Sequence, residues 1–231
     1  MVFQIRPFVK SDTSYLRSIC CQTAAERPFL PWIEEPRFAC EFFLDPYLEL
    51  ESESCLVAEV QGNIVGYLVG TRDAKAFWLR ENQLVHRRLI RLLQIQIEGV
   101  AKRRFRHFWS HYVLAKMYWN LLSGGGVQQR GSDGYFDLDR YPAHCHLQVI
   151  PEARGKCAAL ALTLKFHEYL KAHGVCGHHG TIVEEAGRES FSRMLLALKF
   201  RVVHEREFTA RDVKTLLHPG TWKERIFVRD L

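Results

Sequence analysis

The sequence predicts a mixed α/β protein: a central sheet flanked by helices, with a helical insertion between the third and fourth strands. Three observations carry that expectation. A β-hairpin stands early in the chain, strands and helices alternate through its last third, and between the two runs a stretch whose apolar residues recur at helical spacing.

In chain order, Phe3 to Phe8 alternates as a strand does. Ser11-Asp12 supplies a helix cap, and Tyr15, Leu16, Ile19 and Cys20 follow on one helical face. Residues Arg27 to Trp32 are punctuated by prolines and read as loop, and Phe38 to Leu50 reads as a helix interrupted near Asp45-Pro46. Cys55 to Val60 and Ile64 to Val69, β-rich runs on either side of Gln61-Gly62-Asn63, form a hairpin. From about Asp73 to Gly126 the texture changes. Leu89, Ile90, Leu93, Ile97 and Val100 recur helically, then Phe105, Phe108, Trp109 and Tyr112, and the run ends at Gly124-Gly125-Gly126. These read as amphipathic helices whose aromatic stripe serves the core, seals a substrate pocket or makes a dimer contact. Beyond them come a strand over Ala143 to Ile150 and a helix from Gly155 to Gly174, closed by that glycine. A strand core at Gly180 to Val183, a helix over Glu189 to Leu198, and strands at Phe200 to His204 and Glu224 to Arg229 complete the chain.

Bulk composition narrows the function classes. A chain of 231 residues buries about 70% of the surface of its unfolded form and needs no metal or disulfide staple. No apolar run approaches the ~20 residues of a membrane span, and the start lacks the pattern of a secretion signal, so a cytoplasmic, membrane-free protein is expected. The seven cysteines are odd in number, scattered, and contain no Cys-x-x-Cys pair, which argues for reduced thiols. Cys20 and Cys21 are adjacent, so at most one faces a core. The net charge of +6 points to an anionic partner: a polyphosphate cofactor, a nucleic acid or an acidic protein. Its local excess at Arg87, Arg88 and Arg91, and at Lys102, Arg103, Arg104 and Arg106, reads as solvated helix faces. A nucleic-acid interface there is disfavoured, because few aromatics interleave with the charges and no recognition motif is present.

The segment Tyr141 to Leu160 carries the chemistry. A strand ends at Pro151, a tight turn follows, and a helix opens on small residues. Such a turn aims successive amides at one point beside the positive end of a helix, which makes a cradle for a diphosphate. His144 and His146 alternate on one face of the incoming strand with Gln148, and an imidazole there is a candidate base, directly or through water. A structural histidine hydrogen-bonded under the sheet is the alternative for either one. His173, His178 and His179 do not have the spacing of a metal site, and no metal is expected. Glu184 and Glu185 either contact an amine substrate or simply stand at a helix start.

The order of residues in Pro151-Glu-Ala-Arg-Gly-Lys156 resembles the acetyl-CoA signature of the GNAT superfamily of N-acetyltransferases, whose core Arg/Gln-x-x-Gly-x-Gly/Ala falls on Arg154 to Ala159. Arg154 and Ala159 match it, and the middle glycine is Cys157, expected at negative φ, where its cost is steric. Ile5-Arg6-Pro7, the hairpin, and Phe191 to Phe200 followed by a strand are similar to other parts of the same fold, over roughly residues 3–71 and 141–230. Tyr-Pro-Ala-His144-Cys-His146 resembles the acetyltransferase-like domain of O-GlcNAcases and its bacterial stand-alone relatives.

The resemblance implies a single acyltransferase domain over 1–231, with the insertion at about 73–126, transferring an acetyl group from acetyl-CoA to a small-molecule or peptide amine. It implies cofactor contacts by Leu147, Val149, Arg154, Gly155, Lys156, Cys157, Ala158 and Ala159, and a catalytic role for His144, His146 or Tyr141. The tyrosine that the superfamily uses as leaving-group acid falls on Leu195, and its usual glycine on Lys199. Either Tyr141 replaces that acid, the thiolate departs to solvent, or the domain binds acyl-CoA or a peptide without turnover.

Overall fold

A computed structural model describes residues 3–26, 33–106, 108–122, 134–209 and 220–231. The loop expected at 27–32 and the glycines expected to end the insertion lie outside the described residues.

Among the described residues one sheet has seven strands in the order β1-β2-β3-β4-β5-β7-β6. They are β1 (Gln4–Pro7), β2 (Leu56–Val60), β3 (Asn63–Thr71), β4 (Ala143–Val149), β5 (Gly177–Glu185), β6 (Arg201–Thr209) and β7 (Thr221–Asp230). Neighbours run antiparallel except β4 and β5, which are parallel. The β2–β3 connection is a two-residue turn, with Gln61 at φ 50 and Gly62 at φ 80. Two successive positive φ values match the right-handed twist of the flanking strands. Strand β5 is longer than the sequence suggests, because His178 and His179 belong to it.

One face of the sheet packs against α1 (Thr13–Ala25), α2 (Arg37–Phe43), α3 (Asp45–Leu50) and α4 (Ala74–Gln83), through Leu16, Ile19, Tyr47, Tyr67, Val69 and Phe77. The other face carries α7 (Ala158–Ala172), whose Leu162, Phe166 and Leu170 cover Leu56, Leu68 and Ala143. Alongside it α8 (Ser190–Ala197) packs Leu195 on Phe200 and Phe227. The α2–α3 break falls at Leu44 (φ −131, ψ −63), and Pro46 stands in the first turn of α3, where its missing N–H costs nothing. Asp12 does not cap α1 through its side chain. Its carboxylate accepts from Arg6 at 2.8 and 3.1 Å and from the Val9 N–H at 2.9 Å, tying β1 to the helix that follows. Cys20 is buried and Cys21 half-buried, and all seven cysteines are free thiols.

The insertion comprises α4, α5 (Val85–Ala101) and α6 (Phe108–Leu122), between β3 and β4 as expected. Its core joins Leu92, Leu114 and Met117 to Phe38 and Phe42 of α2. Two sequence readings change here. The apolar stripe Ile90, Leu93, Ile97 and Val100 faces solvent, while Leu92 and Arg88 turn inward. The charge run is a solvated face only in part: Arg87, Lys102, Arg103 and Arg106 are exposed, but Arg91 pairs with Glu41 at 2.9 Å and Glu49 at 2.7 Å, Arg104 with Glu35 at 2.7 Å, and buried Arg88 donates to Glu81 and, at 2.8 Å, to the Glu41 carbonyl.

Candidate active site

The middle of the sheet is where its regularity breaks. Parallel strands β4 and β5 pair at only two positions, Ala143 with His178 and His144 with His179. Beyond them β4 stays bonded to β3 through Val149, and β5 to β7 through Glu185. Each strand therefore carries an unpaired backbone edge toward the other. Central-strand side chains are ordinarily buried, yet residues 145–148 are half-buried and Thr181 is exposed, so the strands form an open fork. Gly177 closes its paired end: a Cβ there would lie 2.3 Å from the Arg140 carbonyl oxygen. At Gly180, just past the last pair, a Cβ would meet nothing within 4 Å. An extended ligand bearing amides can bond to such edges as an added strand does.

From the open end of β4 the chain enters a 3₁₀ turn at Pro151–Ala153, then a bend through Gly155 (φ 71) and Cys157 (φ 68), and starts α7 at Ala158. The helix thus begins three residues later than the sequence suggests. Cys157 is not at negative φ but in the left-handed region, and this corrects the expectation: a glycine suits the position because of its backbone. The first helical bond is Ala161 N–H to the Cys157 carbonyl at 3.0 Å, so the amides of Ala158, Ala159 and Leu160 precede the ladder, and no side chain caps them. Three uncapped amides at the positive end of a four-turn helix attract an anion. Arg154 donates to the Val149 carbonyl at 3.1 Å and pairs with Glu26 at 2.6 Å, and Lys156 reaches back to the Glu152 carbonyl at 2.5 Å.

His144 and His146 do share a face, the one covered by α1 to α4. His144 is buried against Tyr47, Phe77 and Trp78, with Nε2 2.5 Å from the Tyr47 hydroxyl and Nδ1 without a hydrogen-bond partner. Burial, then the neighbouring His179, His146 and His178, hold its pKa well below the usual imidazole value, so it is neutral. His146 is half-buried and lies over Phe43 and Tyr47, at ring distances of 5.2 and 5.4 Å. Tyr47 is the site residue that sequence reasoning missed; it sits in a short helix with no motif, and only tertiary packing brings it to β4.

The opposite face of β4 holds a chain of polar groups with His167 and His178 buried at its middle. Arg229 donates to His167 Nδ1 at 2.8 Å, which fixes the proton of His167 on Nε2, 3.1 Å from His178 Nδ1. His178 Nε2–H then points at Cys145 Sγ at 3.5 Å. Burial pushes His167 down to about 4, His178 well below its ordinary value, and the Cys145 thiol up to about 12.

Other expected residues are not brought to the fork. Tyr141 precedes the paired end of β4, and its hydroxyl accepts from Arg201 at 2.6 Å. Leu195 is buried among apolar side chains and presents no hydroxyl. Glu184 accepts from the amides of Phe191 and Ser192, at 2.9 and 3.1 Å, and so caps α8, while Glu185 pairs with Arg188 at 3.4 Å. His173 bonds to the Tyr169 carbonyl at the exposed end of α7 and His179 to that of Tyr141, well apart.

A forked parallel pair feeding a left-handed turn and an uncapped helix is the architecture of the GNAT N-acetyltransferases, and comparison with solved structures shows that this chain has their fold. Over its full length it is similar to SsHAT (19% identity, 98% of that chain, TM-score 0.62). It is likewise similar over its full length to a polyamine N-acetyltransferase of Drosophila melanogaster that forms N-acetylagmatine (16%, 100% of that chain, 0.55). The third such structure is a putative acetyltransferase of Salmonella typhimurium with its cofactor acetyl-CoA (14%, 95% of that chain, 0.54). No family model and no curated protein matches the sequence.

Proposed function

We propose that the protein is an acyl-CoA-dependent N-acyltransferase acting on an amine. The observation that carries this reading is the fork: β4 and β5 separate after two pairs and lead directly into the uncapped N-terminus of α7. The residues present fit coenzyme A. The amides of Ala158, Ala159 and Leu160, with the bend at 155–157 before them, would receive its diphosphate, with Arg154 and Lys156 adding positive charge. The edge of β4 turned toward the fork, at Leu147 and the Val149 N–H, would bond to its amide-bearing arm, the Val149 carbonyl being held by Arg154. When bound, acetyl-CoA supplies the thioester carbonyl that an amine attacks.

What the chain itself contributes is orientation and a proton acceptor. His146, half-buried on the α1–α4 face of β4, takes the amine proton directly or through water. Neutral His144, bonded to Tyr47, holds that wall in place. Most of the barrier is lowered by positioning amine and thioester together. The acceptor is a small-molecule or peptide amine approaching from the α1–α4 side.

Two observations favour a second reading, binding without turnover: Leu195 offers no proton to a leaving thiolate, and Tyr141 is engaged with Arg201. Free thiol released from acetyl-CoA in the presence of an amine panel separates the two. Turnover that falls about a hundredfold or more in His146→Ala, with coenzyme A still raising the melting temperature, supports the enzyme. Thermal stabilisation without thiol release supports the binding module, and neither signal sinks both.

A further inference from the structure

Among the described residues nothing covers the apolar outer face of the insertion. On α5, Ile90, Leu93, Ile97 and Val100 are 58, 46, 67 and 52% exposed, and on α6, Trp119 and Leu122 are 71 and 62% exposed. The α5 residues follow a 3-4-3 spacing, that of a helix seam that packs against another helix.

The two stripes adjoin. Gln96 of α5 faces α6, within 3.4 Å of His111 and accepting from the Tyr118 hydroxyl at 2.8 Å, and that hydroxyl also lies 3.4 Å from the Leu92 carbonyl. Later residues of one helix thus meet earlier residues of the other, so the pair is antiparallel. At about 100° per residue, Gln96 stands about 40° round from the inward Leu92, and the α5 stripe spans about 80° to 160° in the same sense. On α6, Tyr118 stands about 40° from the inward Leu114, and Leu122 and Trp119 about 80° and 140°. Both stripes therefore lie just beyond the seam between the helices, on its solvent side, and make one patch.

We infer that this face of the α5–α6 hairpin docks on the same face of a second copy of the chain, closing an antiparallel four-helix bundle about a twofold axis. Area is the first argument. Six side chains exposing roughly 100 Å² each amount to about 600 Å², at the top of the range for the largest apolar patch on a monomer. It is also about the apolar share of the ~800 Å² per partner of a standard interface. Shape is the second, since an identical hairpin offers the matching seam and a twofold contact closes without leaving a free end. Charge is the third. No charged residue interrupts the stripe, so two copies meet without like charges opposed. Of the hairpin's basic residues, Arg88, Arg91 and Arg104 are paired with glutamates of the same chain, while Arg87, Lys102, Arg103 and Arg106 stay exposed, so a lipid surface is the alternative that the vesicle experiment below tests.

Sedimentation velocity of the full chain, from micromolar to submillimolar concentration, tests the inference. A particle of twice the 26.9 kDa chain mass is expected. Ile97→Glu should be monomeric, with an unchanged far-UV circular dichroism spectrum. Trp119→Ala, which introduces no charge and keeps the fold if the first variant does not, should weaken association more than about tenfold. A monomer at every concentration overturns the inference, as does a dimer that survives both substitutions. Co-sedimentation of a monomer with phosphatidylserine vesicles, lost in Trp119→Ala, overturns it in favour of a lipid surface.

Discussion

Cys157 (φ 68) and Lys199 (φ 64) both hold a left-handed backbone at positions where the superfamily pattern has glycine. A side chain there costs about 1–2 kcal/mol, against which glycine's larger unfolded-state entropy sets about 0.5–1 kcal/mol. Lys199 completes the cap of α8: its N–H bonds to the Leu196 carbonyl at 2.9 Å and that of Phe200 to Leu195 at 3.0 Å, with Phe200 packed on Leu195. Gly174 closes α7 in the same way, its N–H bonding to the Lys171 carbonyl and that of Val175 to the Leu170 carbonyl, each at 3.0 Å. Cys157→Gly and Lys199→Gly should each raise the free energy of unfolding by up to about 1 kcal/mol, measured by guanidinium denaturation. Only Cys157→Gly should also tighten coenzyme A in calorimetry, because only that side chain stands at the expected diphosphate site. A loss of stability in both variants would refute the conformational argument.

The central strands and α7 bury four imidazoles in neutral form, which makes the elements sensitive to acid. His167 and His179 are pushed down to about 4, and His144 and His178 well below their ordinary value, burial being the largest cause in each. Unfolded, each would titrate near 6.5. Below that pH the unfolded chain binds protons that the folded chain refuses, so stability falls as pH falls from about 6.5 toward 4 and is level above 7. The melting temperature should therefore hold between pH 7 and 8 and drop steeply between pH 6 and 4.5. His178→Asn should flatten part of that drop. A flat profile in the unsubstituted protein would mean that these histidines are already solvated.

At the scale of the whole molecule, the insertion is held to the sheet's helical layer by both grease and charge. Phe38 and Phe42 reach into its core, and beside them the fully buried Glu35 carboxylate receives Arg37 bidentately at 2.8 and 2.9 Å and Arg104 at 2.7 Å. Burial pushes that carboxyl up, but the two guanidiniums outweigh it and hold it below the usual carboxylate range. Removing one member of a buried cluster costs about 3–5 kcal/mol, less where the partners reach water, as both arginines do. Glu35→Ala should thus cost about 2 kcal/mol. In native-state hydrogen exchange the loss of protection should appear first in α5 and α6, before β4 and β7. Uniform loss across the sheet would show that the carboxylate does not serve the insertion in particular.

Local patterns in the sequence determined the hairpin, the strand–turn–helix at 143–172, the helical character of the insertion and the pairing of His144 with His146 on one face. Periodicity, turn chemistry and a positive end of a helix are properties of neighbours in the chain, and they are legible without a fold. What only the tertiary structure decided depends on residues distant in sequence. It put Tyr47 against His144, placed Tyr141 away from the fork, turned Ile90, Leu93, Ile97 and Val100 to solvent, and committed Arg91 of α5 to glutamates of α2 and α3 and Arg88 to Glu81 of α4. A helical stripe has the same spacing whether it faces a core or water, and a charge run reads alike whether solvated or paired. Which one holds is set by what packs against the helix, and that information is not local.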